Sequence, residues 1–275
     1  SGIVFDNFTG NQPINDITFN NCRSDNNGNR GIYFAPGKVS NNITLIDTSC
    51  DGNKIIGFNN QGTMTNLSIT GGTFNNNAGG SPLGTSEGPY YGYGISLEYC
   101  TNAILTNVEA TNNGMEGPSG GAAGIIVKNN STNIEIKDSQ ISGSQYGIFF
   151  NSVPENANNK ATHNNISNCE TGLADYHGKN NIHTYNTISN CSANGIVIGG
   201  NIGSIKINQN SFSGNLKNVQ NISSNALIVN ATKNWWGTAA ENEIQSLIVG
   251  NVNYDPYYGT EAMDTLVRNK PIYNT

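Results

Sequence analysis

The chain has 275 residues, of which 35% are hydrophobic and 12% charged, against typical shares of about 45–50% and 25%. Glycine (33) and asparagine (50) fill the deficit, which excludes a coiled coil or helical bundle, and no apolar run approaches the roughly 18 residues of a membrane-spanning helix. Net charge is −6, and the three arginines, Arg23, Arg30 and Arg268, leave too few cations for a large nucleic-acid-binding face.

An apolar-polar-apolar triplet recurs along the chain. It reads Ile17-Thr18-Phe19, Ile43-Thr44-Leu45, Leu67-Ser68-Ile69, Ile134-Glu135-Ile136, Ile205-Lys206-Ile207 and Leu227-Ile228-Val229. Weaker copies start at Ala103, Asn159 and Ile182, which sets a period of about 22–26 residues with two long insertions. A second run trails the first as Gly31-Ile32-Tyr33-Phe34, Gly94-Ile95-Ser96-Leu97, Gly124-Ile125-Ile126-Val127, Gly147-Ile148-Phe149-Phe150 and Gly195-Ile196-Val197-Ile198. A triplet alone buries nothing. Stacked on its copy in the next repeat it makes a continuous apolar column, with asparagines at equivalent turns bonding from rung to rung. The pattern predicts an all-β parallel β-helix of about nine to ten rungs. A β-sandwich would not keep this period, and leucine-rich repeats would need many more leucines.

The chain changes character near residue 234. Asn234-Trp235-Trp236-Gly237 carries both tryptophans. Thr238-Ala239-Ala240-Glu241 fits a capping box, and Ile244, Leu247 and Ile248 lie on one face of a short helix before Tyr254-Asp255-Pro256. This predicts a β-helix over 1–258 whose base is plugged from about 234, and a tail, 259–275, packed on its own flank or on a neighbour. Gly2-Ile3-Val4-Phe5 reads as a strand with nothing before it to cover the top. Head-to-tail self-association through that end is one expectation, and an excised domain lacking its own N-terminal cap is the other. Ser1 opens the chain with no initiator Met and no signal peptide, as in a processed secreted protein or an excised domain.

The Asn-rich turns and Gly-Ile-x-x strands resemble the right-handed parallel β-helix repeats of the pectate-lyase-like superfamily. The Asn-Trp-Trp-Gly cap with a downstream Tyr-Asp-Pro is similar to the end of many secreted surface proteins of that kind. The resemblance implies fold more than function, because the superfamily holds lyases, glycosidases, epimerases, adhesins and surface-layer proteins. The polygalacturonase-like motifs Asn-Thr-Asp, Asp-Asp, Gly-His-Gly and Arg-Ile-Lys are absent, and Asp255-Pro256 is followed by Tyr257 rather than the histidine of an alginate-epimerase-like motif. Two readings stand. One is an extracellular surface, filament or adhesion protein, structural or glycan-binding and without catalysis. The other is a polysaccharide lyase or related enzyme acting on an acidic polysaccharide. In either the partner is a polysaccharide or cell-surface glycan and the location is secreted, with neither nucleic acid nor membrane insertion. No cofactor is expected: lyases of this superfamily use acidic residues for calcium, and the sequence does not point to such a cluster.

Strand alternation directs Ile32, Ile95, Ile125 and Ile148 inward and Tyr33, Ser96, Ile126 and Phe149 outward, with Glu98 and Lys128 two positions on. Stacked about 4.8 Å apart, Glu98 and Lys128 become vertical neighbours. They form either a plain solvated ion pair or part of a sugar-binding face with Tyr33 and Phe149. Insertions at 78–93 and 114–123 precede the same strand on adjacent rungs, so Tyr90, Tyr91 and Tyr93 border that face. Asp175 takes the inward place held by Phe150 and Ile198 on neighbouring rungs. If the chain is an enzyme, Asp175, Tyr176, His177 and Lys128 are the catalytic candidates; the competing reading is a frayed rung with solvated polar residues. Cys169 and Cys191, one period apart, are expected to stack as buried thiols, with Cys22 and Cys50 doing so less closely.

Overall fold

A computed structural model describes residues 1–6, 12–80, 91–114, 121–225 and 227–268, with the backbone alone at 152–156. The chain winds into a parallel β-solenoid of about nine turns with almost no helix. Each turn lays one strand in each of two rows, and five successive turns add a short strand in a third. The first row includes Arg30–Phe34, Ile56–Asn60, Tyr93–Glu98, Ala123–Lys128, Thr171–Lys179 and Asn194–Gly200. The second includes Val39–Ile46, Thr63–Thr70, Cys100–Thr106 and Thr132–Lys137. The third runs from Glu109–Thr111 to Ser211–Ser213. The long strand Tyr146–Ala157 belongs to the first row and then turns into the second, where Ala157 pairs with Thr132.

The register follows the repeat. Ile95, Ile125, Ile148, Leu173 and Ile196 are successive partners, all fully buried, and Leu97, Val127 and Phe150 form the adjoining inward column. Asparagine serves the coil in two ways. Asn164, Asn186, Asn210 and Asn234 are buried, and each backbone N–H from Asn164 to Asn210 donates to the next side-chain Oδ1 at 2.8–2.9 Å. These carboxamides satisfy backbone groups at corners where no strand ladder can do so. At the outer corners Asn42, Asn66, Asn102, Asn133 and Asn158 hold φ between 56° and 60°, a region that asparagine tolerates better than most residues.

The base is closed by side chains. Trp236 is fully buried and stacks on Phe212 at 5.4 Å between ring centroids. The helix Glu241–Ser246 inserts Ile244, also fully buried. Here the capping-box expectation is corrected: Ala240 is the N-cap, without a side-chain bond. Thr238 instead accepts from the Ala240 N–H at 3.2 Å and donates to Glu243. The helix is also shorter than expected, since Leu247 is its C-cap and Ile248 begins the strand Ile248–Val249. Beyond the base, Leu266–Val267 pairs antiparallel with Tyr257–Tyr258, and Val267 packs on the core.

Cys169 and Cys191 are buried and one above the other, with Cys191 in register through the Ser167–Ser189 pair and the Ser192 N–H donating to the Cys169 carbonyl. Cys22 and Cys50 do not stack. The Arg23–Ser49 bridge sets Cys22 beside Thr48 and Cys50 beside Ser24, so the two cysteines occupy different columns. All five cysteines are free thiols.

Candidate functional site

The outward face of the first row carries the expected constellation only in part. Lys128 pairs in register with Glu98, and its Nζ lies 3.0 Å from Glu98 Oε1. The same ammonium stands 5.3 Å from the centroid of the Tyr93 ring, within cation–π range. Glu98 is only 7% exposed and its carboxylate is well supplied with donors: Asn129 Nδ2 at 2.7 Å on Oε2, and Gln61 Nε2 at 3.4 Å on Oε1. Gln61 Oε1 accepts the Tyr33 hydroxyl at 2.8 Å, and the Arg30 guanidinium lies 4.5 Å over the Tyr33 ring. A polar chain therefore runs down the face from Arg30 and Tyr33 through Gln61 to Glu98, Asn129 and Lys128. Sequence spacing found Tyr33, Glu98 and Lys128 and missed Gln61, Asn129 and Arg30, because their contacts depend on how side chains lean between rungs.

Phe149 departs from its expected role as an open platform. It points outward as alternation requires, yet it is 6% exposed, stacked on Tyr146 at 4.3 Å and met edge-on by Tyr176 at 5.6 Å. Ile126, Ala174 and Val197 join it in a second apolar cluster on the outer side of the sheet. An outward column of Ile, Phe, Ala and Val is too apolar to stay wet, so neighbouring tyrosines fold over it. The surface offered to solvent here is therefore made by Tyr146 and Tyr176, half-buried, whose hydroxyl pKa values burial raises. Tyr91 is 38% exposed and lies 6.4 Å from Tyr93, itself buried with its hydroxyl pKa pushed up by desolvation. Tyr90 lies outside the described residues.

The Asp175-Tyr176-His177 segment is not frayed and does not converge. Asp175 takes the inward place between Phe150 and Ile198 and is fully buried. Its Oδ2 accepts from Asn181 Nδ2 at 3.0 Å and from His183 Nε2 at 2.8 Å, and the His183 ring stacks on Phe150 at 5.4 Å. Tyr176 faces out onto Phe149. His177 sits in a left-handed turn, φ 63°, with Nδ1 accepting the Asn201 N–H at 3.2 Å. Lys128 is two rungs from Tyr176 through Asn151, roughly 10 Å away at the usual strand spacing. The four catalytic candidates thus occupy an interior, a face and a corner, and no single bound sugar reaches all of them. His183, the real partner of Asp175, escaped sequence reasoning because the pair closes across a strand corner at Gly178, not along a column. Among the described residues no group of three or more His, Cys, Asp or Glu is placed to hold a metal ion.

Among solved structures, a mutant of the periplasmic alginate epimerase AlgG shares the fold with a TM-score of 0.51 at 14% identity, covering 82% of this chain and 47% of that one. Geobacillus virus E2 ORF18 gives 0.55 at 12% identity, covering 92% and 52%. The chain thus spans about half the length of these structures. No curated protein matches it. The family model described as "Periplasmic copper-binding protein (NosD)" matches residues 65–258, which include the Glu98–Lys128 face, the Asp175–His183 interior and the tryptophan cap; over that span, more than half its length, this chain belongs to the NosD family.

Proposed function

We propose that this chain is a periplasmic or extracellular β-helix module that holds a polysaccharide along the outward face of its first strand row, without catalysing a reaction on it. The observation that carries the reading is the continuous line of hydrogen-bonding and aromatic groups from Tyr33 through Gln61 and Glu98 to Lys128 and Tyr93, bordered by exposed Tyr91. An extended chain of sugars meets repeated donors, acceptors and ring faces there. The family description supports the location, and the likeness to an alginate epimerase is consistent with a sugar polymer as partner. Lys128 is held by Glu98 and Asp175 is sealed inside the coil, so neither is poised to move a proton on a bound sugar.

The family description also names copper. Copper sites draw on thiolate, thioether and imidazole ligands. His163 is stacked on Tyr185, His177 accepts from Asn201, and His183 is closed on Asp175. Burial pushes the Cys169 and Cys191 thiols up to about 11 and 12, away from the thiolate form a metal needs, and each thiol donates to a carbonyl two residues back. These residues do not fit a copper centre.

The test is affinity electrophoresis of the native chain against alginate, polygalacturonate and neutral polysaccharides, together with the Lys128→Ala and Tyr91→Ala variants. Retention by at least one polyuronate that weakens in both variants is expected. Retention unaffected by either removes the face. Release of unsaturated uronate, read by ultraviolet absorbance, would replace the binding reading with the lyase reading.

A further inference from the structure

A second groove lies on the second strand row, away from the Glu98–Lys128 face. Its origin is a break in the outer asparagine ladder. At each outer corner the carboxamide Nδ2 donates to the Oδ1 one rung earlier: Asn42 to Asp16 at 2.9 Å, Asn66 to Asn42 at 3.1 Å, Asn102 to Asn66 at 3.5 Å and Asn133 to Asn102 at 3.3 Å. Asn158 occupies the next corner in the same left-handed conformation, φ 59°. Its carboxamide makes no bond to Asn133, so among the described residues the ladder stops at Asn133 Oδ1.

At this step the surface opens into a groove of about 370 Å³. Asn102, Asn133 and Asn158 line one side, and Glu135 and Lys160 lie beside them. Glu135 and Lys160 are direct register partners, yet no ion pair joins them, in contrast to Glu98 and Lys128. Ile104, 46% exposed, supplies one apolar wall.

We infer that this groove is a second carbohydrate site, which takes one neutral sugar unit through its vicinal hydroxyls. The open carboxamides offer both donors and acceptors, the Glu135 carboxylate accepts hydrogen bonds from two hydroxyls, and the Lys160 ammonium donates to hydroxyl oxygens. A neighbouring pair of hydroxyls, each both donor and acceptor, matches that alternation. A uronate would set its own carboxylate against Glu135, and an amino sugar its ammonium against Lys160. The Ile104 side chain meets the C–H face of the ring. The site does not depend on the polysaccharide face proposed above, which lies on another row.

The experiment is affinity electrophoresis of the full chain in gels holding dextran, laminarin or xyloglucan, with alginate run in parallel. Glu135→Ala and Lys160→Ala are expected to weaken retention by at least one neutral polysaccharide about tenfold, the effect of one lost charge-assisted hydrogen bond. Glu135→Gln, which keeps the shape, is expected to weaken it less. Asn66→Ala, within the unbroken ladder, is the control for loss of a carboxamide alone and leaves retention unchanged. Alginate retention stays with Lys128 and is indifferent to the groove variants. The inference is overturned if the native chain retains none of the three neutral polymers, if retention survives both alanine variants, or if neutral retention falls in Lys128→Ala alone.

Discussion

Two carboxylates of the first row, three rungs apart, meet opposite fates. Glu98 faces outward beside Lys128 and accepts from three side chains at the edge of solvent. Asp175, one residue short of the same column, faces inward and is sealed among Phe150, Ile198 and the ring of His183. One position along a strand moves a carboxylate from a place where a ligand can compete for it to one where only the fold can use it. An ionisable side chain in a solenoid is therefore read first by parity and only then by chemistry.

The comparison predicts a hierarchy of effects. The largest belongs to the interior. Asp175→Ala leaves His183 and Asn181 buried without their acceptor, and chemical denaturation is expected to show a loss of about 3 kcal/mol. Replacing Asp175 and His183 together by Leu is expected to recover part of that loss, because only the Asn181 carboxamide is then left buried without its acceptor. Equal instability in the single and double variants would mean that the pair is irreplaceable in shape as well as charge.

Gly178→Ala comes next. A Cβ at Gly178 would stand 2.3 Å from Asp175 Oδ1 and 2.7 Å from Asn181 Nδ2. The corner must shift, and a cost of about 1–3 kcal/mol is expected from the overpacking. The same substitution is expected to leave polysaccharide retention intact at temperatures where the coil stays folded.

On the outer face the order reverses between stability and binding. Lys128→Ala is expected to cost about 1 kcal/mol, since Glu98 keeps Asn129 and Gln61 as donors, while retention falls about tenfold. Tyr91→Ala is expected to leave the melting temperature unchanged and to weaken retention severalfold. A large loss of stability in either would make the face a structural element and not a binding one.

The smallest effect concerns the thiols. Cys100, Cys169 and Cys191 are buried, and desolvation pushes their pKa values up to about 12, 11 and 12. Iodoacetamide reacts with thiolate, so at about pH 8 these three should label slowly in the folded chain and rapidly after denaturation. Partly exposed Cys22 is the position expected to label first. Rapid native labelling of Cys169 or Cys191 would show that the coil opens locally at those rungs.

The coil was legible because its signal is repeated. Each Gly-Ile-x-x run states the same parity, and a stack of such runs averages out local ambiguity. The Glu98–Lys128 pair was legible for the same reason, since both residues sit at one offset in successive rungs. Phe149 was misjudged because parity says which side of a strand a ring lies on and does not say whether Tyr146 and Tyr176 will cover it. Thr238 was misjudged because the capping-box spacing fits the sequence while the chain enters the helix two residues later. Gln61 and Asn129 carry no pattern at all; they matter through a rung-to-rung lean that only coordinates express.

By itself the sequence determined the period of the coil and its inward apolar columns. Both follow from apolar residues that must be removed from water at a fixed spacing. The tertiary structure alone decided that His183 closes on Asp175, that Cys22 and Cys50 lie in different columns, and that the asparagine ladder stops at Asn133. These depend on how successive turns of unequal length bring corners together, and loop length, unlike strand parity, has no periodic signature to read.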